Sequence, residues 1–352
     1  MAININTTYT EILTMIYLSK LIYYYHKKQI LININETLED YFKKYEVMHE
    51  CNSENSEYMV KCDNNTKEEE EEEKEYTNFT KDSLLFLYMN FPKSKICNFI
   101  SNDYYDIQAG IIISDNIIVI VFKGTDSLTD CFYDLTFVKR NIDLTDSRIH
   151  KGFYDQLMSI YDELINVINQ LLIEFPNYNI IITGHSAGGA HGTIFTYLLA
   201  NLLRHKQIKL ITFGSPKIGN IHWAESFNNM KNILYYRITN HNDIITMIPR
   251  IYYKHVGLNI HLDLTNIYFN LNTICHDECY CNECKNKSNF CYCYYHPLHL
   301  YYLICQDNST HKQHNCVFNN LLPYLNFSNI KNHSIEQYYH NFISSCSQWE
   351  TT

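Results

Sequence analysis

YNIIITGHSAGGAHGTIFTYLLA, residues 178–200, decides the fold. YNIIIT (178–183) is a short apolar run rich in Ile and reads as a strand. The residues from about Ala187 to Leu203 read as a helix. Between them GHSAGGA (Gly184–Ala190) fits GxSxG in the strand-turn-helix setting that pattern requires. A serine hydroxyl is a poor nucleophile until it is lifted into a cleft beside a base, and a tight turn between strand and helix lifts it. Gly184 and Gly188 give the neighbouring elements room to approach, which makes Ser186 the candidate nucleophile. The backbone N–H of Ala187 opens the helix, so it can face an oxyanion with the helix dipole behind it.

Outward from this turn, strands alternate with helices. IKLITF (208–213), a short helix near 224–230 and ILYYRIT (233–239) follow. Upstream, IQAGIIIS and NIIVIVFKG, joined by SDN, read as a hairpin whose second strand is buried on both faces. Leu157, Ile160, Tyr161, Leu164, Ile168, Leu171 and Leu172 recur at helical spacing and predict one helix over 154–175. This order gives an α/β fold, a mainly parallel central sheet with helices on both faces. All ten glycines lie between Gly110 and Gly257, so backbone freedom is concentrated in this domain. The organisation expected is an N-terminal helical segment over 1–50, an acidic disordered loop over 51–80, the α/β domain over 81–264 and 326–345, and a Cys- and Tyr-rich insertion over 265–325.

Charge and composition exclude several functions. The net charge is −10, of which the run from Lys67 to Glu75 supplies −5, so nothing attracts nucleic acid electrostatically. The first thirty residues carry no basic leader and no small-residue cleavage pattern, and Lys20 interrupts their apolar stretch. Neither a signal peptide nor a transmembrane segment is expected, which favours an intracellular location and reduced thiols for the 13 cysteines.

A serine nucleophile needs a base and a residue to orient that base. In the chain order Ser, acid, His, the acid follows a later strand, and Asp243 in NHNDIITMIP stands four residues past the strand end expected at Thr239. The histidine is open on this reading, because nine of the 17 follow Asp243: 255, 261, 276, 296, 299, 311, 314, 333 and 340.

FKGTDSLTDCFYDLTFV, RIHKGFYDQL, GHSAGGA, FGSPKIGN, RITNHNDIITMIP and YKHVG occur in an order and near-spacing that resembles the class 3 lipases, the fungal triacylglycerol type of the α/β-hydrolase superfamily. The resemblance spans about residues 105–265 and a short C-terminal match. It implies a base in NHSIEQYYHNF, which selects His333, with His299 of HPLHLYY as its rival. It places a second oxyanion donor, backbone N–H and hydroxyl together, at Thr125, and treats His150, His185 and His255 as structural. Lys123 departs from the usual arginine and Ala187 from the commoner leucine. Asp126, Asp130 and Asp134 fall on one side of a short helix and Leu128, Phe132 and Leu135 on another, as in the family's lid; an ordinary covering helix fits the pattern equally. The implied activity is hydrolysis of lipid esters such as acylglycerols through an acyl-enzyme, with no cofactor, on a lipid substrate met at a membrane or droplet surface. A phospholipase A1 or acyltransferase would use the same residues, and a catalytically silent interaction protein would use the insertion instead.

That insertion is the departure from the family. Cys281 and Cys284 have zinc-knuckle spacing, and Cys291 with Cys293 or His296 can complete four ligands for a structural zinc. Thiols of a codon-biased loop are the alternative, since the second pair lacks the usual spacer.

Overall fold

Eight strands form one sheet, in the order β1 (Lys95–Asn102), β2 (Ile107–Ser114), β3 (Ile117–Phe122), β6 (Asn179–His185), β7 (Ile208–Phe213), β8 (Ile233–Asn240), β9 (Leu258–Leu262) and β10 (Ile267–Asn270). β4 (Lys139–Asn141) and β5 (Arg148–His150) make a separate antiparallel ribbon. The computed structural model describes residues 5–27, 30–51, 80–126, 139–141, 146–240, 243–249, 252–262, 267–270 and 332–344. From β3 to β9 every neighbour is parallel, and β1, β2 and β3 are antiparallel, so the expected hairpin feeds a parallel sheet.

Strand periodicity builds the two layers. Ile118, Ile120 and Phe122 of β3 face one side together with Ile180, Ile182 and Leu210. Val119 and Val121 face the other with Ile181, Ile211 and Phe213. The first layer is covered by α4 (Lys151–Met158), α5 (Tyr161–Glu174), α6 (Ala187–Leu202) and α7 (Ile221–Asn228), whose Phe153, Leu164, Phe195 and Trp223 are buried there. Each such side chain stabilises the domain by about 1.5–3 kcal/mol relative to exposure. The second layer is covered by α1 (Ile5–His26) and α8 (Ile335–Ser344), through Ile12 and Ile16 of the first and Tyr338 and Phe342 of the second.

Four details differ from the expectations. The helix expected over 154–175 is two, because the Ser159 N–H turns back to the carbonyls of Asp155 and Gln156, its hydroxyl donates to Gln156 O at 2.7 Å, and Ile160 leaves helical geometry at φ −125° and ψ 0°. The N-terminal segment is not a separate piece. α1 is apolar nearly all round and packs between the sheet and a second cluster, where its Leu21 and Tyr24 meet Leu38 of α2 (Leu38–Cys51) and Leu84 and Leu87 of α3 (80–90). β1 and α3 carry only weak periodicity and have no counterpart in the sequence reading. Finally, β10 extends the sheet into the start of the stretch assigned to the insertion. The acidic run over 67–75 and residues 271–331 lie outside the described residues. Among the described residues no helix is long and apolar enough to cross a membrane.

Candidate active site

Ser186 stands between the end of β6 and the start of α6 with φ 57° and ψ −127°. A non-glycine residue there is strained by about 1–3 kcal/mol and persists only where its surroundings hold it. Its N–H donates to Phe213 O at 2.9 Å, tying the turn to β7. A Cβ on Gly184 would lie 2.5 Å from Gly188 O, and one on Gly188 would lie 2.8 Å from the carbonyl carbon of Lys123, so strand, turn and helix close up only without side chains. Ala187 is the first helical residue, and its N–H belongs to the turn of amides that a helix leaves without internal acceptors.

Asp243 lies three residues beyond β8, where its Oδ1 accepts the Ile245 N–H at 2.9 Å. His333 reaches it from the turn before α8. Nδ1 of His333 is 2.8 Å from Oδ2 and 3.0 Å from Oδ1 of Asp243, and Nε2 is 2.8 Å from Ser186 Oγ. Exposure is 1% for Ser186 and 0% for Asp243 and His333. With the carboxylate on Nδ1, that nitrogen carries the proton, and the Nε2 lone pair accepts the Ser186 hydroxyl. Gly214, at φ +61°, leaves room for this contact: a Cβ there would be 2.9 Å from His333 Cε1 and 3.0 Å from Asp243 Oδ2.

The backbone after β3 borders Ser186, since a Cβ on Gly124 would be 3.3 Å from Ser186 Cβ and 2.6 Å from His185 O. Thr125 follows, and its hydroxyl donates to Asp106 Oδ2 at 3.2 Å. Lys123 is fully buried. Its ammonium donates to Gly124 O at 3.2 Å, pairs with Asp126 at 3.1 Å and stands 5.2 Å from the centre of the Tyr23 ring. Lys27 of the segment after α1 also pairs with Asp126, at 3.2 Å. Burial pushes the Asp126 carboxyl up, but the hydrogen bonds and charges of the two lysines outweigh it and hold the group below the usual range.

Residues 119–253 match the family model of the class 3 lipases. The chain is 31% identical over 140 residues to a lipase of Rhizomucor miehei, and 30% identical over 140 residues to a secreted mono- and diacylglycerol lipase of Penicillium cyclopium. Those stretches are 39% of this chain and 38% and 44% of the two relatives, so the chain spans about two fifths of the length of the curated relatives it matches. A solved lipase from Rhizopus microsporus var. chinensis superposes with a TM-score of 0.50 at 21% identity, covering 54% of this chain and 70% of that one, and speaks for the fold. His333 lies beyond the matched segment and returns to it in space.

Several supports of the candidate site, Tyr338 and Asn240 among them, carry no signal in the amino-acid sequence. Tyr338 of α8 donates its hydroxyl to Asp243 Oδ2 at 2.6 Å and accepts the Asn240 N–H at 3.1 Å. The Asn240 side chain donates to Asn332 O at 2.9 Å and accepts from Asn341, so the end of β8 clamps both sides of the His333 turn. His185 is also part of this support. Its Nε2 donates to His333 O at 2.6 Å, which leaves Nδ1 to accept the Tyr23 hydroxyl at 3.3 Å. Burial, then the neighbouring His333, holds its imidazole well below the ordinary histidine range, so it stays neutral. His150 caps α4 by accepting the Phe153 N–H, and His255 donates to Thr246 O at 2.6 Å; neither contacts Ser186. Leu128, Phe132, Leu135, His299 and the cysteines Cys281, Cys284, Cys291 and Cys293 lie outside the described residues.

Proposed function

We propose that this chain is a serine carboxylic ester hydrolase of lipid esters, with acylglycerols as the substrate class. The observation that carries the reading is the continuous line from Asp243 through both nitrogens of His333 to Ser186 Oγ, every link 2.8 Å in its shortest contact. Ser186 Oγ attacks the ester carbonyl carbon while His333 Nε2 takes its proton, and the Asp243 carboxylate stabilises the imidazolium so formed. The carbonyl oxygen becomes an oxyanion facing the Ala187 N–H and the Thr125 N–H and hydroxyl, for which the hydroxyl turns from Asp106. Collapse of the tetrahedral intermediate breaks the ester C–O bond, and the departing alkoxide takes the proton from His333. Water, deprotonated by the same Nε2, then releases the fatty acid and restores Ser186. No cofactor enters these steps.

The similarity to a mono- and diacylglycerol lipase supports acylglycerols over other esters. Turnover of an ester chain-length series, of acylglycerols and of phospholipids, each with and without a lipid interface, tests the reading. It expects acylglycerols to be cleaved fastest and the rate to rise at the interface. Cleavage confined to phospholipids, or acyl transfer without hydrolysis, would replace it with the phospholipase A1 or acyltransferase reading.

A further inference from the structure

The last turns of α1 reach several of the segments that build the Ser186 site. At 3.6 residues per turn, Ser19, Lys20, Tyr23 and Lys27 fall within about 100° of the helix circumference, and Lys27 continues the helix with its N–H on Tyr23 O at 3.2 Å. Ser19 Oγ is 3.2 Å from Thr183 Oγ1 on β6, in the strand that leads to Ser186, and both residues are fully buried. Tyr23 donates its hydroxyl to His185 Nδ1 at 3.3 Å, and that hydroxyl occupies the space beside Gly124, where a Cβ would collide with it. Lys27 pairs with Asp126, just past the oxyanion residue Thr125, at 3.2 Å.

Two of these residues act on the turn that carries His333. With the Tyr23 hydroxyl on Nδ1, His185 keeps its proton on Nε2 and donates it to His333 O at 2.6 Å, and the two imidazoles lie 4.7 Å apart. Lys20 pairs with Glu336 in the first turn of α8, the helix that His333 precedes. Helix α1 therefore holds the His333 turn at its carbonyl and again at the helix behind it.

Stability alone does not account for an ion pair in this place. Lys20 is buried, and burial, then the charge of Lys27, lowers its ammonium to about 7. Taking two charges out of water offsets much of what their attraction returns. Apolar contact already joins the two helices, with Tyr9 stacked on Phe342 at 4.8 Å between ring centres. What the pair adds to that contact is direction: it fixes α8 against α1, and with it the approach of His333 to Ser186.

We propose that Tyr23 and Lys20 are positioning residues for the base, setting the orientation of His333 toward Ser186 through His185 and through Glu336. The inference rests on the hydrolytic reading of the site. The test compares full-length wild type with Tyr23→Phe, Lys20→Met, Lys20→Arg and Glu11→Gln. The last breaks the other ion pair of α1, to Lys209 at 2.5 Å near the start of β7, the sheet end opposite Ser186. Tyr23→Phe and Lys20→Met should each lower kcat for a soluble short-chain ester about tenfold with KM unchanged. Lys20→Arg, which keeps the charge, should retain most of the wild-type rate, and Glu11→Gln all of it. A helix that merely docks would respond to all the broken contacts alike. The ring-proton signals of His333, identified by their loss in His333→Gln, should move in Tyr23→Phe and Lys20→Met and stay in place in Glu11→Gln, with thermal unfolding checking that each variant is folded. Those signals need no turnover, so an inert wild type whose signals move as expected would refute hydrolysis and support the positioning. Unmoved His333 signals, or wild-type kcat in both folded variants, would overturn the proposal.

Discussion

Tyr338 donates its hydroxyl hydrogen to Asp243 Oδ2 at 2.6 Å from the first turn of the helix that follows His333. The carboxylate thus receives a phenol, an imidazole and the Ile245 amide, and the segment that delivers the imidazole also fixes its acceptor. Burial, then the Asp243 charge, pushes the Tyr338 phenol well above its usual range, so it remains a donor. Tyr338→Phe removes a hydrogen bond to a charged group and strands the Asn240 amide, a loss of roughly 1–3 kcal/mol in stability. Denaturant unfolding should show that loss, and steady-state kinetics should show kcat falling about tenfold with little change in KM, as expected for a residue that positions the base.

Gly214 provides a second test of positioning. Alanine there must adopt φ +61° and places its Cβ 2.9 Å from His333 Cε1. A displacement on the order of 1 Å at a reacting group costs about a hundredfold in rate. Gly214→Ala should therefore lower kcat by about that factor, and a spectrum of the histidine ring protons should show the His333 signals moved. Wild-type kinetics in the variant would contradict the crowding.

For the oxyanion, Thr125 is the informative residue. Its hydroxyl points to Asp106 at 3.2 Å, so it must turn to meet a developing charge. Thr125→Val should lower kcat by roughly 10²–10³-fold, the loss typical of one oxyanion donor. Asp106→Ala, which frees the hydroxyl, should leave kcat unchanged or raise it. Normal turnover by Thr125→Val would assign the hole to backbone amides alone.

The parts of this site differ in how far sequence discloses them. Ser186, Gly184 and Gly188 are legible because one local turn imposes them, and Asp243 because it follows a strand with a strong apolar pattern. His333 is reached through a resemblance, since no local pattern sets it apart from the other late histidines. Tyr338, Asn240 and Tyr23 are silent because their partners are remote: the Tyr23 to His185 contact joins residues 162 positions apart. The parallel sheet is legible for the same reason as the turn, whereas β1 is not, because KICNFISN is only partly buried and does not alternate. The break at Ser159 is hidden by apolar spacing that continues across it.

Buried neutral histidines make stability depend on pH. Burial lowers His185 and His255 well below the ordinary value, and burial with His150 nearby lowers His191 to about 3. The unfolded chain therefore binds more protons than the folded one below about pH 6.5. Stability from these groups is fully present above that pH and is lost as pH falls, by about 1.4 kcal/mol per unit for each histidine. Unfolding free energies at pH 7, 6 and 5 should show the decline, and His191→Gln should remove about one histidine's share of the slope. A flat profile over that range would refute it.

We propose that Ser186, His333 and Asp243 act as one hydrolytic unit. Hydrolysis of an emulsified triacylglycerol by wild type, Ser186→Ala and His333→Ala, with folding verified for each, tests it most directly. The wild type should turn over, and both variants should lose roughly 10⁴-fold or more in kcat. Wild-type rates in His333→Ala, or an inert wild type, would contradict it.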